Sequence, residues 1–185
     1  MSKDPNFIVD LLEGVKSNQI SIDEAKAQLT HYDELGFAKI DLHRAKRQGF
    51  PEVIFGEGKT KEQINQIIES LTHHDNVILV TRIDETKAKF VLEHHPYLQY
   101  HSVANIVSTP IEEIKKSQNY ISILCAGTSD LAVAEEAALT AEVMGIQVKR
   151  FYDVGVSGIH RLFNHIHVIR QGKVSVVIAL SLIHI

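Results

Sequence analysis

The first third of the chain reads as helical. "NFIVDLLEGVKS" places Phe7, Ile8, Leu11, Leu12 and Val15 on one face, and the pattern weakens near Gly14. "SIDEAKAQLT" opens with Ser21 at an N-cap position and Glu24 three residues on, a capping box that predicts a second helix. "AKID" then reads as a short strand, "RAKRQGFPE" as a charged turn region broken by Gly49 and Pro51, and "EVIFG" as another strand. Thr60 to Leu71 carries Ile64, Ile67, Ile68 and Leu71 at helical spacing. "NVILVTRI" predicts a buried strand, and "AKFVLE" and "NIVST" two weaker ones.

From Asn119 the pattern sharpens. "YISILCAG" predicts a short buried strand running into "TSD", and "LAVAEEAALTAEVMG" an Ala-rich helix stopped by Gly145. "QVKRFYDVG" is a second strand, "SGIHRLFNHIHVIRQG" a second helix and "KVSVVIAL" a third strand. Lys173 to Leu182 is mostly β-branched and apolar, the composition of a strand buried on both faces. Strand, helix, strand, helix, strand at this spacing predicts a parallel sheet with right-handed crossovers. "TPIEEIKKSQ", Thr109 to Gln118, separates this part from the rest.

Composition narrows the class without changing the picture. The 185 residues are 44% hydrophobic and 23% charged, with net charge −4, so no broad basic surface advertises nucleic acid or an acidic membrane. Cys125 is the single cysteine, which excludes an internal disulfide framework. No signal-type apolar run follows Met1, and the run from Val174 to Ile183 is too short to span a bilayer as a helix. A cytoplasmic location is expected.

Three stretches carry candidate chemistry. In "CAGTSDLAVAEEA" a strand emerges at Gly127, turns through Thr128 and Ser129 and enters a helix at Asp130. Backbone N–H groups and two hydroxyls converge there at the positive end of a helix, a seat for phosphate. A plain N-cap by Ser129 or Asp130 accounts for the same residues. In "YDVGVSGIHRLF", Gly155 and Gly158 permit close backbone approach, and His160 and Arg161 follow at the next helix start. Arg161 is suited to bidentate phosphate pairing and His160 to proton transfer; the alternatives are an interhelical histidine and a solvated arginine. Both loops lead out of successive strands of one parallel sheet, so they open at the same edge, where ligands of such sheets bind. In "DLHRAKRQGFPEVIFGEGKT", Arg44, Arg47 and Lys59 flank a glycine turn and either grip an anion or form a solvated basic face. "GEGKT" is not a Walker A loop, because Val53 stands where its first glycine belongs. The eleven histidines lack metal-ligand spacing, so no metal site is expected. Cys125, inside an apolar strand, reads as a packed small hydrophobe.

"AGTSDLAVAEEAALTAEVMG" and "YDVGVSGIHRLF" resemble the catalytic domain of the LarB family, and "DLHRAKRQGFPEVIFGEGKTKEQI" resembles that family's amino-terminal domain. The catalytic part is also similar to the PurE-type aminoimidazole ribonucleotide carboxylases and mutases. Their Gly-Ser-x-Ser-Asp and Ser-Ala-His-Arg loops have counterparts in Gly127-Thr128-Ser129-Asp130 and in Ser157-Gly158-Ile159-His160-Arg161. The resemblance implies an α/β fold. A small amino-terminal α/β domain (1–115) would precede a PurE-like, flavodoxin- or Rossmann-like parallel three-layer α/β/α domain (119–179). It also implies an enzyme, a carboxylase/hydrolase acting on nicotinic acid adenine dinucleotide. The products would be pyridinium-3,5-biscarboxylic acid mononucleotide and AMP, for the nickel-pincer cofactor of lactate racemase. CO2 or bicarbonate would be co-substrate, Mg2+ an optional companion, and no cofactor covalently bound. The complete enzyme would be a homo-oligomer with no nucleic-acid or membrane partner. Gly127, Thr128, Ser129, Asp130, Ser157, Gly158 and Arg161 would hold a nucleotide phosphate and ribose. Arg44, Arg47 and Lys59 would grip the remaining phosphate or carboxylate, and His160 or Asp153 would assist proton transfer.

The family's nucleophilic cysteine lies in a segment beyond "VVIA" that has no counterpart here, and Cys125 does not correspond to it. "LSLIHI", Leu180 to Ile185, matches the in-frame translation of a transposon end used in sequencing libraries. The expectation is therefore native sequence to about Ala179, a read-through tail over 180–185, and an incomplete, inactive catalytic domain. Two other readings stay open: a purine-type mutase, which leaves Arg44 to Lys59 unexplained, and a nucleotide-binding module without catalysis.

Overall fold

A computed structural model describes residues 5–22, 24–25, 32–42, 44, 49–72, 77–114 and 117–178. The labelled elements are α1 (Pro5–Lys16), β1 (Tyr32–Glu34), β2 (Lys39–Asp41), β3 (Ile54–Phe55), α2 (Lys61–Thr72), β4 (Leu79–Thr81) and α3 (Glu85–His94). They continue with β5 (Gln99–His101), β6 (Ile106–Ser108), β7 (Tyr120–Cys125), α4 (Leu131–Val143), β8 (Gln147–Phe151), α5 (Ile159–Gln171) and β9 (Val174–Ile178). Contacts divide the chain into two units, Met1–Glu52 with Gln66–Asn76, and Val53–Asn65 with Val77–Ile185.

In the first unit the capping box forms as read. Ser21 N donates to Glu24 Oε2 at 2.8 Å and Glu24 N to Ser21 Oγ at 3.1 Å, and these bonds lower the Glu24 pKa. β1 and β2 pair antiparallel around a turn in which Gly36 adopts φ +79°. Asp33 on β1 accepts a 2.8 Å bond from Ser70 Oγ. Leu11 of α1 is buried, but Leu12, expected on the same face, is 57% exposed. The adjacent residue points about 100° away around a helix, so Leu11 is buried and Val15 half-buried while Leu12 faces outward.

The second unit holds two sheets. The four-stranded sheet runs β3-β4-β6-β5, with β3 and β4 parallel and the other pairs antiparallel. The three-stranded sheet runs β8-β7-β9 and is parallel throughout. "AKFVLE", expected as a strand, lies in α3. The Asp84 carboxylate accepts from Lys87 N at 2.9 Å and starts the helix, and the buried positions Ala88, Val91 and His95 follow helical rather than alternate spacing. β1 and β5, three residues each, were too short to show a period.

α4 is the middle of this unit. Ala134 and Ala138 pack on Ile123 and Cys125 of β7, while Leu139 and Val143 join Leu79 and Ile106 of the four-stranded sheet and Ala104 and Ile111 in the turns beside β6. A helix that is apolar nearly all round must be covered nearly all round, and its alanines allow the close approach to β7. Gly145, at φ +80°, ends it in a Schellman turn, with Ile146 N bonding Ala141 O and Gly145 N bonding Glu142 O, both at 3.0 Å. α5 packs on the opposite face of the three-stranded sheet, where Ile169 meets Leu124 and Phe151. The arrangement is therefore a three-layer α/β/α with β7 at its centre.

β9 departs from expectation. It pairs with β7 in register, Ile121 opposite Val174 and Cys125 opposite Ile178, yet it is an edge strand with Val174 55% and Val176 37% exposed. α4 covers β7 and β8, the strands it connects, and no β9 residue joins its cluster among the described residues. Ala179 to Ile185 lie outside the described residues.

Three glutamates tie α4 to its neighbours. Arg150 on β8 meets Glu142 through two bonds of 2.8 and 2.7 Å and Glu135 at 3.3 Å, and Tyr152 donates to Glu135 at 2.7 Å. The Glu142 bonds hold the Arg150 guanidinium more firmly charged, and burial beside Glu135 pushes the Tyr152 phenol up. Arg82, at the end of β4, meets Glu136 at 2.8 Å but is half exposed. Removing Glu142, which is buried, takes the two shortest bonds from the part-buried Arg150 guanidinium and leaves it Glu135 alone, whereas an exposed pair contributes little. Glu142→Ala should therefore cost roughly 3 kcal/mol in denaturant unfolding, and Arg82→Ala less than about 1 kcal/mol. Equal losses would contradict this ranking.

Candidate functional site

The site is built where β7 and β8 end. β7 delivers Gly127, in extended backbone, and Thr128–Asp130 then form a single 3-10 turn before α4. Thr128 and Ser129 are exposed, and Asp130 beneath them is 2% exposed. Asp130 is the cap residue of α4, yet its side chain does not cap the helix; Ser129 Oγ instead donates to Asp130 Oδ1 at 3.2 Å. The plain N-cap explanation for this loop therefore fails for Asp130. Elsewhere the chain does close its helix starts with side chains. Thr60 and Gln63 form a reciprocal box at α2, with bonds of 3.0 and 3.2 Å, and Asp84 caps α3.

β8 delivers the second loop in the same way. Val156–Gly158 form a 3-10 turn, and α5 starts at Ile159 with no side-chain cap on Gly158. Ser157 and His160 are exposed and Gly158 is buried. The Arg161 guanidinium forms an ion pair with Asp153, which stands at φ +57°.

The two loops touch. Val154 N donates to Cys125 O at 3.1 Å, and the α-carbon of Gly155 lies against the Ala126 peptide. A Cβ on Gly155 would stand 2.5 Å from Ala126 O, closer than any real contact. Two helix starts without side-chain caps, both with positive dipole ends, are thus brought to one edge of the parallel sheet. Such an edge supplies backbone donors, hydroxyls and a guanidinium to an anion.

Two of the other predicted residues are engaged by partners of their own. Arg44, in the first unit, pairs with Glu52 at 3.3 Å and stacks on Phe50, its ring centroid 5.3 Å away. Arg47 lies outside the described residues. Lys59 turns its amine back onto Phe55 O at 2.8 Å, within its own loop. Cys125 is 1% exposed, donates to Gly127 O at 2.9 Å and has its thiol pushed up by burial, so it packs rather than attacks. The frame of Glu135, Glu136 and Glu142 with Arg82 and Arg150 was missed. Part of its signal was available, since Arg150 and Tyr152 share a strand face and Glu135 and Glu142, seven apart, share a helix face.

The loop contact makes a sharp steric contrast. Gly155 has φ −66°, which alanine adopts freely, so a substitution there tests space alone. Gly155→Ala should destabilise by about 1–3 kcal/mol in chemical denaturation. Gly127→Ala, whose Cβ would find only Ser129 Oγ at 3.8 Å, should lie within about 0.5 kcal/mol of wild type. A tolerated Gly155→Ala would mean that the loops do not depend on their contact.

Comparison with known proteins bears on the amino-terminal part of the chain. Residues 32–111 match the family described as the LarB/PurE-like N-terminal domain. A Methanocaldococcus jannaschii protein, named only as uncharacterized, is 37% identical over 164 residues. That match covers 83% of this chain and 64% of the relative, so the chain spans just under two thirds of its relative's length. Among the described residues no helix is long and apolar enough to cross a membrane. A LarB/PurE-like amino-terminal domain at residues 32–111, in one chain with a parallel α/β/α sheet whose loops converge on one edge, supports membership of the LarB family.

Proposed function

We propose that this chain serves a LarB-type carboxylase/hydrolase, acting on nicotinic acid adenine dinucleotide with CO2 or bicarbonate as second substrate. The products are pyridinium-3,5-biscarboxylic acid mononucleotide and AMP. The observation that carries the reading is the amino-terminal domain over residues 32–111 in one chain with the paired loops of β7 and β8. A purine-type mutase would share the loops but leaves that domain without a role.

The chemistry accounts for the groups assembled. A pyridinium carbon is electron-poor and does not attack CO2. A nucleophile must first add to the ring, leaving an enamine-like dihydropyridine that attacks through carbon. The dinucleotide's two phosphates must be held while this occurs and while water cleaves the anhydride. In this reading the N–H groups of both helix starts, the Thr128 and Ser129 hydroxyls and Arg161 hold a phosphate, and Asp130 supports Ser129 from below. His160, exposed beside Arg161, moves the proton. Arg44 is paired with Glu52 and Lys59 with the Phe55 carbonyl, so their part is secondary.

A second reading is a nucleotide-binding module without catalysis. It is favoured by one observation: the chain's cysteine is buried, with its thiol pushed up, and cannot add to the ring.

Calorimetry with nicotinic acid adenine dinucleotide and with aminoimidazole ribonucleotide separates these readings. The dinucleotide should bind and the ribonucleotide should not. Arg161→Ala should weaken dinucleotide binding about 10- to 100-fold, the loss of a charge-assisted pair, and Ser129→Ala about fivefold. Preference for the ribonucleotide would support the mutase, and binding of neither would remove both enzyme readings.

A further inference from the structure

Arg161 is occupied on one side and seated on the other. Its Nη1 pairs with the Asp153 carboxylate, two residues past the end of β8. Its guanidinium lies flat on Gly158, where a Cβ would stand 2.3, 2.4 and 2.6 Å from Nη2, Nε and Cζ. The Nε atom is buried in this seat and has no hydrogen-bond partner. The arginine that the site offers to an anion therefore already rests at the start of α5, with its Nε donor unused. Its present counter-ion is exposed, at 55% against 40% for Arg161, and a pair so open to water is held weakly. A phosphate, with more charge and a geometry that accepts two parallel N–H bonds, is the stronger partner.

We propose that Asp153 is an exchangeable counter-ion that occupies Arg161 until a phosphate-bearing ligand displaces it. The inference rests on the reading that the loop pair binds a nucleotide phosphate, and it gives Asp153 a different task from proton transfer. With the site empty, the carboxylate cancels the arginine's charge beside two helix starts that already carry positive potential. When phosphate arrives, the arginine keeps its seat on Gly158 and changes partner.

Asp153→Asn tests this without disturbing the backbone, because asparagine tolerates the left-handed conformation at least as well as aspartate. The probe is AMP, titrated by calorimetry into wild type, Asp153→Asn, Arg161→Ala and the double variant, with melting temperatures to verify folding. Asp153→Asn should bind AMP about two- to fivefold more tightly than wild type, the range by which an exposed ion pair competes. In the Arg161→Ala background the same substitution should give no gain. A gain that persists without Arg161 would overturn the proposal, because removal of any nearby negative charge would then explain it. Unchanged or weaker binding by Asp153→Asn would also overturn it, since Asp153 would then orient Arg161 rather than compete for it. In both of those cases AMP still binds and the phosphate-seat reading stands. Failure of wild type and all variants to bind AMP would overturn both.

Discussion

The meeting of Gly155 with the Ala126 peptide is the contact on which the site depends. Any side chain at 155 would enter the carbonyl of the neighbouring loop, so the two helix starts can share one edge only while that position is bare. The Val154–Cys125 backbone bond fixes the same approach by hydrogen bonding. Around this contact the parallel register of β7 and β8 carries both loops out at equal height, because Leu124 and Phe151 lie opposite each other immediately before the strands end. A parallel sheet thus brings two loops about 30 residues apart in sequence to one edge, and the proposed anion seat rests on that placement.

α4 holds the seat in position. Its amino end forms half of the site, and its body is gripped on both sides by small and branched side chains. Apolar packing alone does not fix a helix about its own axis, since neighbouring rotations bury similar area. The bidentate Arg150–Glu142 pair is directional, and it shares Arg150 with Glu135, which also receives Tyr152. A part-buried pair of this kind adds little net stability over an apolar one, but it penalises every arrangement in which the charges part. The frame therefore acts on the angle at which Thr128 to Asp130 leave the sheet.

Much of this arrangement was legible in the sequence. The strand–helix–strand order after Asn119 gave the parallel sheet, and the two glycine-bearing loops were read as neighbours on that topological ground alone. The Ser21–Glu24 capping box was visible because its partners are three residues apart and need no tertiary context. What escaped was set by tertiary context. α3 contains Phe90 and Val91, which mimic a strand, and the deciding feature was the Asp84 cap just outside the run. The apolar run of β9 suggested burial on both faces, yet coverage depends on which strands α4 connects, and composition does not record that. The Arg150 network joins residues 8 to 17 positions apart across a helix and a strand, and its pairing appears only once the two elements are packed.

The central claim is that the loops following β7 and β8 act as one anion seat. Titrating AMP into isotope-labelled protein while following backbone amide resonances addresses it directly. The account predicts that the amides of Gly127 to Leu131 and of Gly155 to Arg161 shift together, along curves that fit a single dissociation constant. Shifts confined to one loop, or two loops responding with different constants, would contradict it.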